Sequence, residues 1–332
     1  MSVPELSVVL PGYNCAATIR RALLSLLDSP SADFEIVFVD DGSTDDTVSV
    51  VSALKDSRIR IVRQPHSGVA AAANLGVAEA RASIIARMDA DDYSYPNRFT
   101  LQLGYLAANN LDAVGGRVRI IDPAGIPVPS MGRYEKWVNG FCDADSVAAY
   151  RFVESPLVNP TIMAKRKVFE LGFRNGPFPE DYDLLLRALQ AGYRMGKVPE
   201  IVLDWTDGPG RLTRTDERYS MAAFDRCRRA HLLVGPLKNC GRCNLWGAGQ
   251  TGKPWLRWLK ENQIEIGFVV DVDARKIGRK IHDVPVISHT DLPSADGSPL
   301  LIAVGAEGAR EQIVPVLKNH GYRIGADAWF VA

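Results

Sequence analysis

Short β-branched runs alternate with stretches of helical period along the first third of the chain. The runs at 6–10, 34–39, 59–62 and 83–88 predict strands, and 17–27, 45–54, 69–80 and 96–108 predict the helices between them. A further strand is expected at 113–121. Alternation of this kind predicts a mostly parallel sheet covered by helices on both faces. From 122 to 159 the pattern breaks up around Pro123, Pro127, Pro129 and Gly132, then recovers as a helix over 180–190 and an apolar run at 201–205. Residues 207–243 are rich in arginine (Arg211, Arg214, Arg218, Arg226, Arg228, Arg229) and predict an exposed loop followed by a linking helix. A second series begins at Asn244: a strand to Trp246, a glycine turn, a helix to about Asn262, strands near 265–270 and 300–304, and a helix over 307–320. The expected organisation is α/β throughout: a doubly wound domain over 1–206, a charged link over 207–243, and a smaller Rossmann-like domain over 244–332.

Composition narrows what such a molecule can bind. The 332 residues carry 39 Lys+Arg against 39 Asp+Glu with 46% hydrophobic residues, which argues against disorder. No surplus of cations exists to neutralise nucleic-acid phosphates, so nucleic acid is not an expected partner and any acidic ligand must be gripped locally. The five cysteines are odd in number and scattered, the usage of a reducing cytoplasm. Cys240-x-x-Cys243, with Cys227 and His231 upstream, has zinc-ligand chemistry but no recognised finger spacing, and reduced cysteines are the expectation. The start lacks the basic and apolar regions of a signal peptide, and no apolar run nears the roughly 18–20 residues that span a bilayer. A cytoplasmic protein is expected, with peripheral contact at the inner face of the membrane left open.

Ligands of open parallel sheets bind beyond the carboxyl ends of the strands. Here those ends are polar: Pro11-Gly12-Tyr13-Asn14, then Asp40-Asp41-Gly42-Ser43-Thr44-Asp45, then Asp89-Ala90-Asp91-Asp92. Ser43 to Asp46 reads equally well as a turn and helix cap. The pair Asp89-x-Asp91 sits where a strand turns, so its two carboxylates can share Mg²⁺ or Mn²⁺ with phosphate oxygens completing the octahedron. A cation so placed neutralises a departing diphosphate.

The motifs Ser7 to Asn14, Phe34 to Asp45, Ser67-Gly68-Val-Ala-Ala-Ala-Ala-Asn74-Leu-Gly76, Met88-Asp89-Ala-Asp91-Asp92 and Pro179-Glu180-Asp181-Tyr-Asp183-Leu occur in order. Over residues 5 to 215 the chain resembles the family 2 glycosyltransferases of the GT-A fold. The resemblance implies that Pro11 and Tyr13 line a nucleotide pocket, with Tyr13 on the base and Asp41 accepting a hydrogen bond from it beside Asp40. It implies Asp89 near the ribose and diphosphate, Asp91 as metal ligand and Asp181 as general base, giving inversion at the anomeric carbon. Without that resemblance, Glu180, Asp181 and Asp183 read as an acidic first turn favoured by the helix dipole. In that family the loop often carries arginine just before its asparagine, whereas Ala73 stands here, so a cationic contact to the donor is either missing or supplied by Arg81 or Arg87. Trp205 and Arg211-Leu-Thr213 resemble the late segment that closes over donor phosphates or acceptor. Arg211 is a candidate for the diphosphate and Trp205 for a sugar ring, against a solvated arginine and a core tryptophan.

In the second domain, Gly247, Gly249 and Gly252 form a dinucleotide-type turn between strand and helix, and Asp271 ends the next strand where an acid meets a ribose hydroxyl. The segment resembles nucleotide- or sugar-binding Rossmann-like domains of sugar-modifying enzymes, with a purely structural module as the alternative. The expected whole is an inverting, metal-assisted glycosyltransferase using a uridine diphosphate sugar and a glycan or glycolipid acceptor, in a polysaccharide pathway. A nicotinamide-dependent sugar-modifying oxidoreductase and a non-catalytic sugar-nucleotide sensor are the competing readings.

Overall fold

Apolar residues on both faces of a strand require cover on both faces, and the two most apolar runs are buried along their whole length. In the computed structural model, which describes residues 3–30 and 33–332, these are β1 (Leu6–Gly12) and β2 (Phe34–Asp40). They pair in parallel from Leu6↔Phe34 to Gly12↔Asp40, and β4 (Ile84–Arg87) flanks β1 up to Val9↔Arg87. With β3 (Ile59–Arg63), β5 (Tyr93–Ser94), β6 (Ala113–Ile121), β7 (Met163–Lys165) and β8 (Met195–Thr206), the sheet has eight strands in the order β3-β2-β1-β4-β7-β6-β8-β5. It is mixed rather than wholly parallel, since β7 runs against β4 and β6, and β5 runs against β8. Both β5 and β7 are too short to leave a periodic signal. The apolar run expected at 201–205 is the end of β8, whose first half contains Lys197 and Pro199.

Helices α1 (Ile19–Leu27), α2 (Thr47–Ser52), α3 (Val69–Glu79) and α4 (Arg98–Ala108) follow the strands in turn. On α1, Ile19, Ala22, Leu23 and Leu26 are buried, the spacing that places one face of a helix on a sheet. The small-residue run on α3 has a packing cause: a Cβ added at Gly76 would lie 2.4 Å from Val9 Cγ1 and 3.2 Å from Val39 Cγ2. Gly76→Ala is therefore expected to destabilise the protein by about 1–3 kcal/mol through overpacking, a loss read from the midpoint of urea unfolding. Asn74 tethers the helix at another point, its amide donating to Phe173 O and its carbonyl accepting from Phe173 N, both at 2.8 Å. The less regular stretch holds α5 (Gly132–Val138), α6 (Ala144–Tyr150) and α7 (Arg166–Phe169); α8 (Glu180–Gln190), α9 (Leu212–Thr215) and α10 (Met221–Val234) complete this part of the chain.

The chain forms two compact units. One runs to Val147 and resumes over Ser155–Cys227; the other comprises Ala148–Glu154 and Arg228–Ala332. The second unit has a six-stranded sheet ordered β11-β12-β10-β9-β13-β14. Its strands are β9 (Arg242–Trp246), β10 (Glu265–Asp271), β11 (Lys280–Ile281), β12 (Val284–Ser288), β13 (Leu300–Ile302) and β14 (Ala328–Phe330), with helices α11 (Gly252–Glu261) and α12 (Ala309–Asn319). Its core gathers Trp246, Val270, Leu300, Ile302, Leu317 and Phe330. The excursion at 148–154 adds Tyr150 and Val153 to that core, with the Tyr150 ring 5.4 Å from Phe330, while Arg228 donates to Val153 O at 2.7 Å. Among the described residues, no helix is long and apolar enough to cross a membrane.

Candidate active site

Because β1, β2 and β4 are parallel and in register, their carboxyl ends deliver Tyr13, Asp41 and Asp89 beyond one edge of the sheet. The first two loops are laced together there. Asn14, at φ 48°, accepts from Thr44 N at 2.8 Å and donates its own N–H to Ser43 Oγ at 2.9 Å, while Ala16 N donates to Asp45. Ser43 to Asp46 thus do the turn-building that their residue types suggest. Asp41 is buried and organises the loop after β3: its Oδ1 accepts from Gln64 Nε2 at 2.5 Å and Ser67 N at 2.9 Å, and its Oδ2 from Gly68 N at 2.9 Å. His66 Nδ1 lies 2.9 Å from the same Oδ2, and its ring stacks on Tyr13 at 4.0 Å between centroids. Tyr13 is 45% exposed, so a face of its ring stays open to a planar ligand. Asp40 is buried beside it and accepts from Ser43 N, and Pro11 is buried within β1.

The turn after β4 carries three carboxylates over buried arginines. Arg87 is fully buried; it donates to Val9 O at 2.9 Å and to Asp89 Oδ1 at 3.1 Å. Arg98 lies next to it, donating to Arg87 O at 2.7 Å. Burial and then repulsion from Asp89 push the Asp91 carboxyl up to about 6, opposed by Arg211 and Arg21. Asp92 is pushed well above the carboxylate range, by burial first and by Asp91 and Asp89 after it. Arg211 is mounted on Trp205, its guanidinium carbon 4.0 Å from the ring centroid, with NH1 3.6 Å from Asp207. One face of Trp205 is therefore spent on Arg211, and Tyr134 approaches the ring at 6.1 Å.

Helix α8 presents the remaining acids. Glu180 is buried and accepts from the Tyr219 hydroxyl at 2.6 Å. Asp181 is partly buried, its Oδ1 accepting from Tyr182 N at 2.8 Å, and burial followed by Glu180 pushes it up to about 7. Asp89 adds to that rise, so the acidic turn and the start of α8 share one field. Cys15 feels both Asp40 and Asp91, which joins the Tyr13 end to the same edge.

Tyr13, Asp40, Asp41, Asp89, Asp91, Asp181 and Arg211 are thus gathered at one place. Two candidate cations are not free to serve there in the way the missing loop arginine suggests. Arg81 Nε pairs with Glu35 Oε2 at 2.9 Å, near the opposite ends of the strands, and Arg87 is the buried support of Asp89. Gln64, Asp92, Thr206 and Tyr219 join the site without having been expected, Asp92 alone carrying a signal as the residue next to the acidic pair; His66, whose place beside the glycine loop allows a phosphate contact but reads first as a polar loop histidine, lies against Asp41 and Tyr13. Hard carboxylate oxygens on Asp89 and Asp91, with Asp91 raised partly by its neighbour's charge, suit Mg²⁺ or Mn²⁺, since a cation between them relieves that repulsion.

In the second unit, the glycine turn is dictated largely by its own geometry. A Cβ at Gly252 would fall 1.7 Å from Gly247 O, and one at Gly247, with φ 119°, would meet Ala303 O at 2.6 Å. Gly249 has nothing within 4 Å and no such demand. Burial would raise Asp271, but it is held below the usual range by Asp273 N, Lys276 Nζ and Ala248 N, which it accepts at 2.8, 3.0 and 2.9 Å. Cys243 is buried in β9 with its thiol pushed far up by burial, and Cys240 donates to Arg242 O, so this pair is engaged as ordinary thiols.

A mostly parallel α/β sheet with polar strand ends, an acidic turn after its fourth strand and carboxylates at a helix start is the architecture of a GT-A type domain. Residues 7–170 match the family model of glycosyl transferase family 2. The chain is 36% identical over 126 residues to the hyaluronan synthase of Pasteurella multocida, covering 37% of this chain and 13% of that protein. It is 32% identical over 206 residues to the succinoglycan biosynthesis protein ExoU of Rhizobium meliloti (strain 1021), covering 57% of this chain and 58% of that one. The match therefore spans less than two thirds of either relative. The structure of S. aureus TarS 1-349 in complex with UDP-GlcNAc shares the fold, with a TM-score of 0.55, 17% identity, and coverage of 70% of this chain and 68% of that one.

Proposed function

We propose that the chain transfers a sugar with inversion from a uridine diphosphate sugar to a hydroxyl of a glycan or glycolipid. The observation that carries this reading is the convergence of Asp91, Arg211 and Asp181 on one sheet edge, where Asp91 feels Arg211 directly and Asp89 acts on both Asp91 and Asp181. Tyr13 offers its open face to the base, with Asp40 and Asp41 beneath. Asp89 faces the ribose and diphosphate, and Arg211, steadied by Trp205 and Asp207, grips the diphosphate as a fixed fork. Asp89 and Asp91 would hold Mg²⁺ or Mn²⁺, which supplies charge neutralisation for the departing nucleoside diphosphate. Asp181 takes the proton of the acceptor hydroxyl on Oδ2, its Oδ1 being committed to Tyr182 N. That oxygen attacks the anomeric carbon from the face opposite the leaving group.

The likeness in fold to a TarS structure holding UDP-GlcNAc supports a uridine donor, and similarity to the succinoglycan biosynthesis protein ExoU supports a polysaccharide setting. For the second unit we infer a nucleotide- or sugar-binding role at Gly247, Gly249 and Gly252, because Gly249 has no packing reason to lack a side chain. A thermal-shift screen of nucleotide sugars with and without Mn²⁺ tests the donor. Stabilisation by one uridine diphosphate sugar is expected, about 2.7 kcal/mol at a hundredfold excess over Kd. A screen in which no nucleotide sugar stabilises the protein overturns the reading, and a shift with NAD(H) alone favours the oxidoreductase.

A further inference from the structure

A buried acid without a salt bridge is costly unless something requires it, and such local inconsistencies concentrate at functional sites. Asp92 is 1% exposed; its Oδ1 accepts from Thr206 N at 2.8 Å, while its Oδ2 is buried with no hydrogen-bond partner among the described residues. Thr206 returns a second bond, its Oγ1 donating to Asp91 O at 2.7 Å. These two bonds join segments more than a hundred residues apart in the chain. Thr206 is also flanked by both residues that hold Arg211, Trp205 under its guanidinium and Asp207 beside it. Any shift of Thr206 therefore moves the platform of Arg211. From below, Arg87 and Arg98 fix the same acidic turn through Asp89 Oδ1 and Arg87 O.

We propose that Asp92 is a positioning residue that clamps the Asp89–Asp91 turn to the Trp205–Arg211 segment, so that Asp91 and Arg211 address the two sides of one diphosphate. The proposal rests on the donor reading above but assigns a role to a residue that touches neither metal nor donor. An apolar residue would fill the space and leave Thr206 N unpaired. Asparagine would keep a carbonyl oxygen for that N–H.

The test is a double-mutant cycle read by calorimetric binding of UDP in the presence of Mn²⁺, with thermal unfolding alongside. Arg211→Ala and Asp92→Ala are each expected to weaken UDP binding by about tenfold, and the double variant by little more than either alone, because Arg211 is no longer aimed once its clamp is lost. Asp92→Asn is expected to bind within about twofold of the unaltered protein. A role confined to stability would lower the melting temperature without this coupling. Additive losses, or unchanged UDP affinity in Asp92→Ala, overturn the proposal. Should Asp92→Ala not fold, Thr206→Val removes the bond to Asp91 O, and it is expected to weaken UDP binding and reduce the cost of Arg211→Ala; full affinity with full cost overturns the proposal. Absence of Mn²⁺-dependent UDP binding in the unaltered protein removes the donor reading and the clamp together, whereas normal UDP binding with additive losses removes the clamp alone.

Discussion

Asp181→Asn is expected to lower sugar transfer by about 10²–10⁴-fold while leaving affinity for the nucleotide sugar within about twofold, because the amide keeps the shape of the carboxylate and loses only its basicity. The measurement is kcat and KM for both substrates beside calorimetric donor binding; undiminished kcat would remove Asp181 as the base. The pH dependence follows from the same carboxyl. Burial and Glu180 push it up to about 7, so transfer rises with pH through that value as the base ionises, and a cation bound at Asp91 moves the limb to lower pH. Stability moves the other way. The folded state binds a proton that the unfolded state has released above roughly pH 4, so this contribution is present at low pH and is lost as pH climbs through about 7. Asp181→Asn should therefore raise the melting temperature at pH 8 and leave it little changed at pH 4.

Asp91→Ala is expected to abolish Mn²⁺-dependent turnover of the donor, a loss of at least about 10³-fold set by the charge stabilisation that a bound cation supplies. Without divalent cation the variant and the parent should bind UDP alike, and chelation of the parent should reproduce the variant. This contrast separates a ligand role from a packing role, since a packing defect would persist in the chelated protein. Retained metal-dependent turnover would exclude Asp91 as the ligand.

Much of the first unit was legible because its central strands are buried on both faces. The runs at 6–10 and 34–39 are interrupted only by Ser7 and Glu35, which hydrogen-bond to each other at 2.7 Å, and an apolar run bounded by Gly12-Tyr13-Asn14 or Asp40-Asp41-Gly42 has few other readings. Asp40, Asp41, Asp89 and Asp91 stood out as candidates because they follow strand ends, whereas Asp181, at the start of α8, was marked only by the family resemblance. The illegible parts depend on pairing across long separations. Neither the antiparallel β5 and β7 nor the bond between Asp92 and Thr206 has a local signature, and the stacking of His66 on Tyr13 has none either. The excursion at 148–154 was hidden for a related reason, since Tyr150 and Val153 are apolar residues whose partners lie beyond residue 300. Arg81 illustrates the opposite failure: nearness in sequence suggested a ligand contact, while Glu35, lying in β2, had already claimed its guanidinium.

The clamp between Asp92 and Thr206 has a consequence for how the chain acquires its activity. Strand β8 sits inside the sheet, between β6 and β5, and pairs Tyr93 with Asp204. A nascent chain that has emerged only to residue 170, the last position of the family match, still lacks that strand. Its acidic turn has no lateral support, and the edge of β6 that β8 will cover stands open to mispairing. Ordering of the site must therefore wait for the last strand of its sheet, a late and long-range step that makes the catalytic edge one of the last parts of the first unit to become rigid.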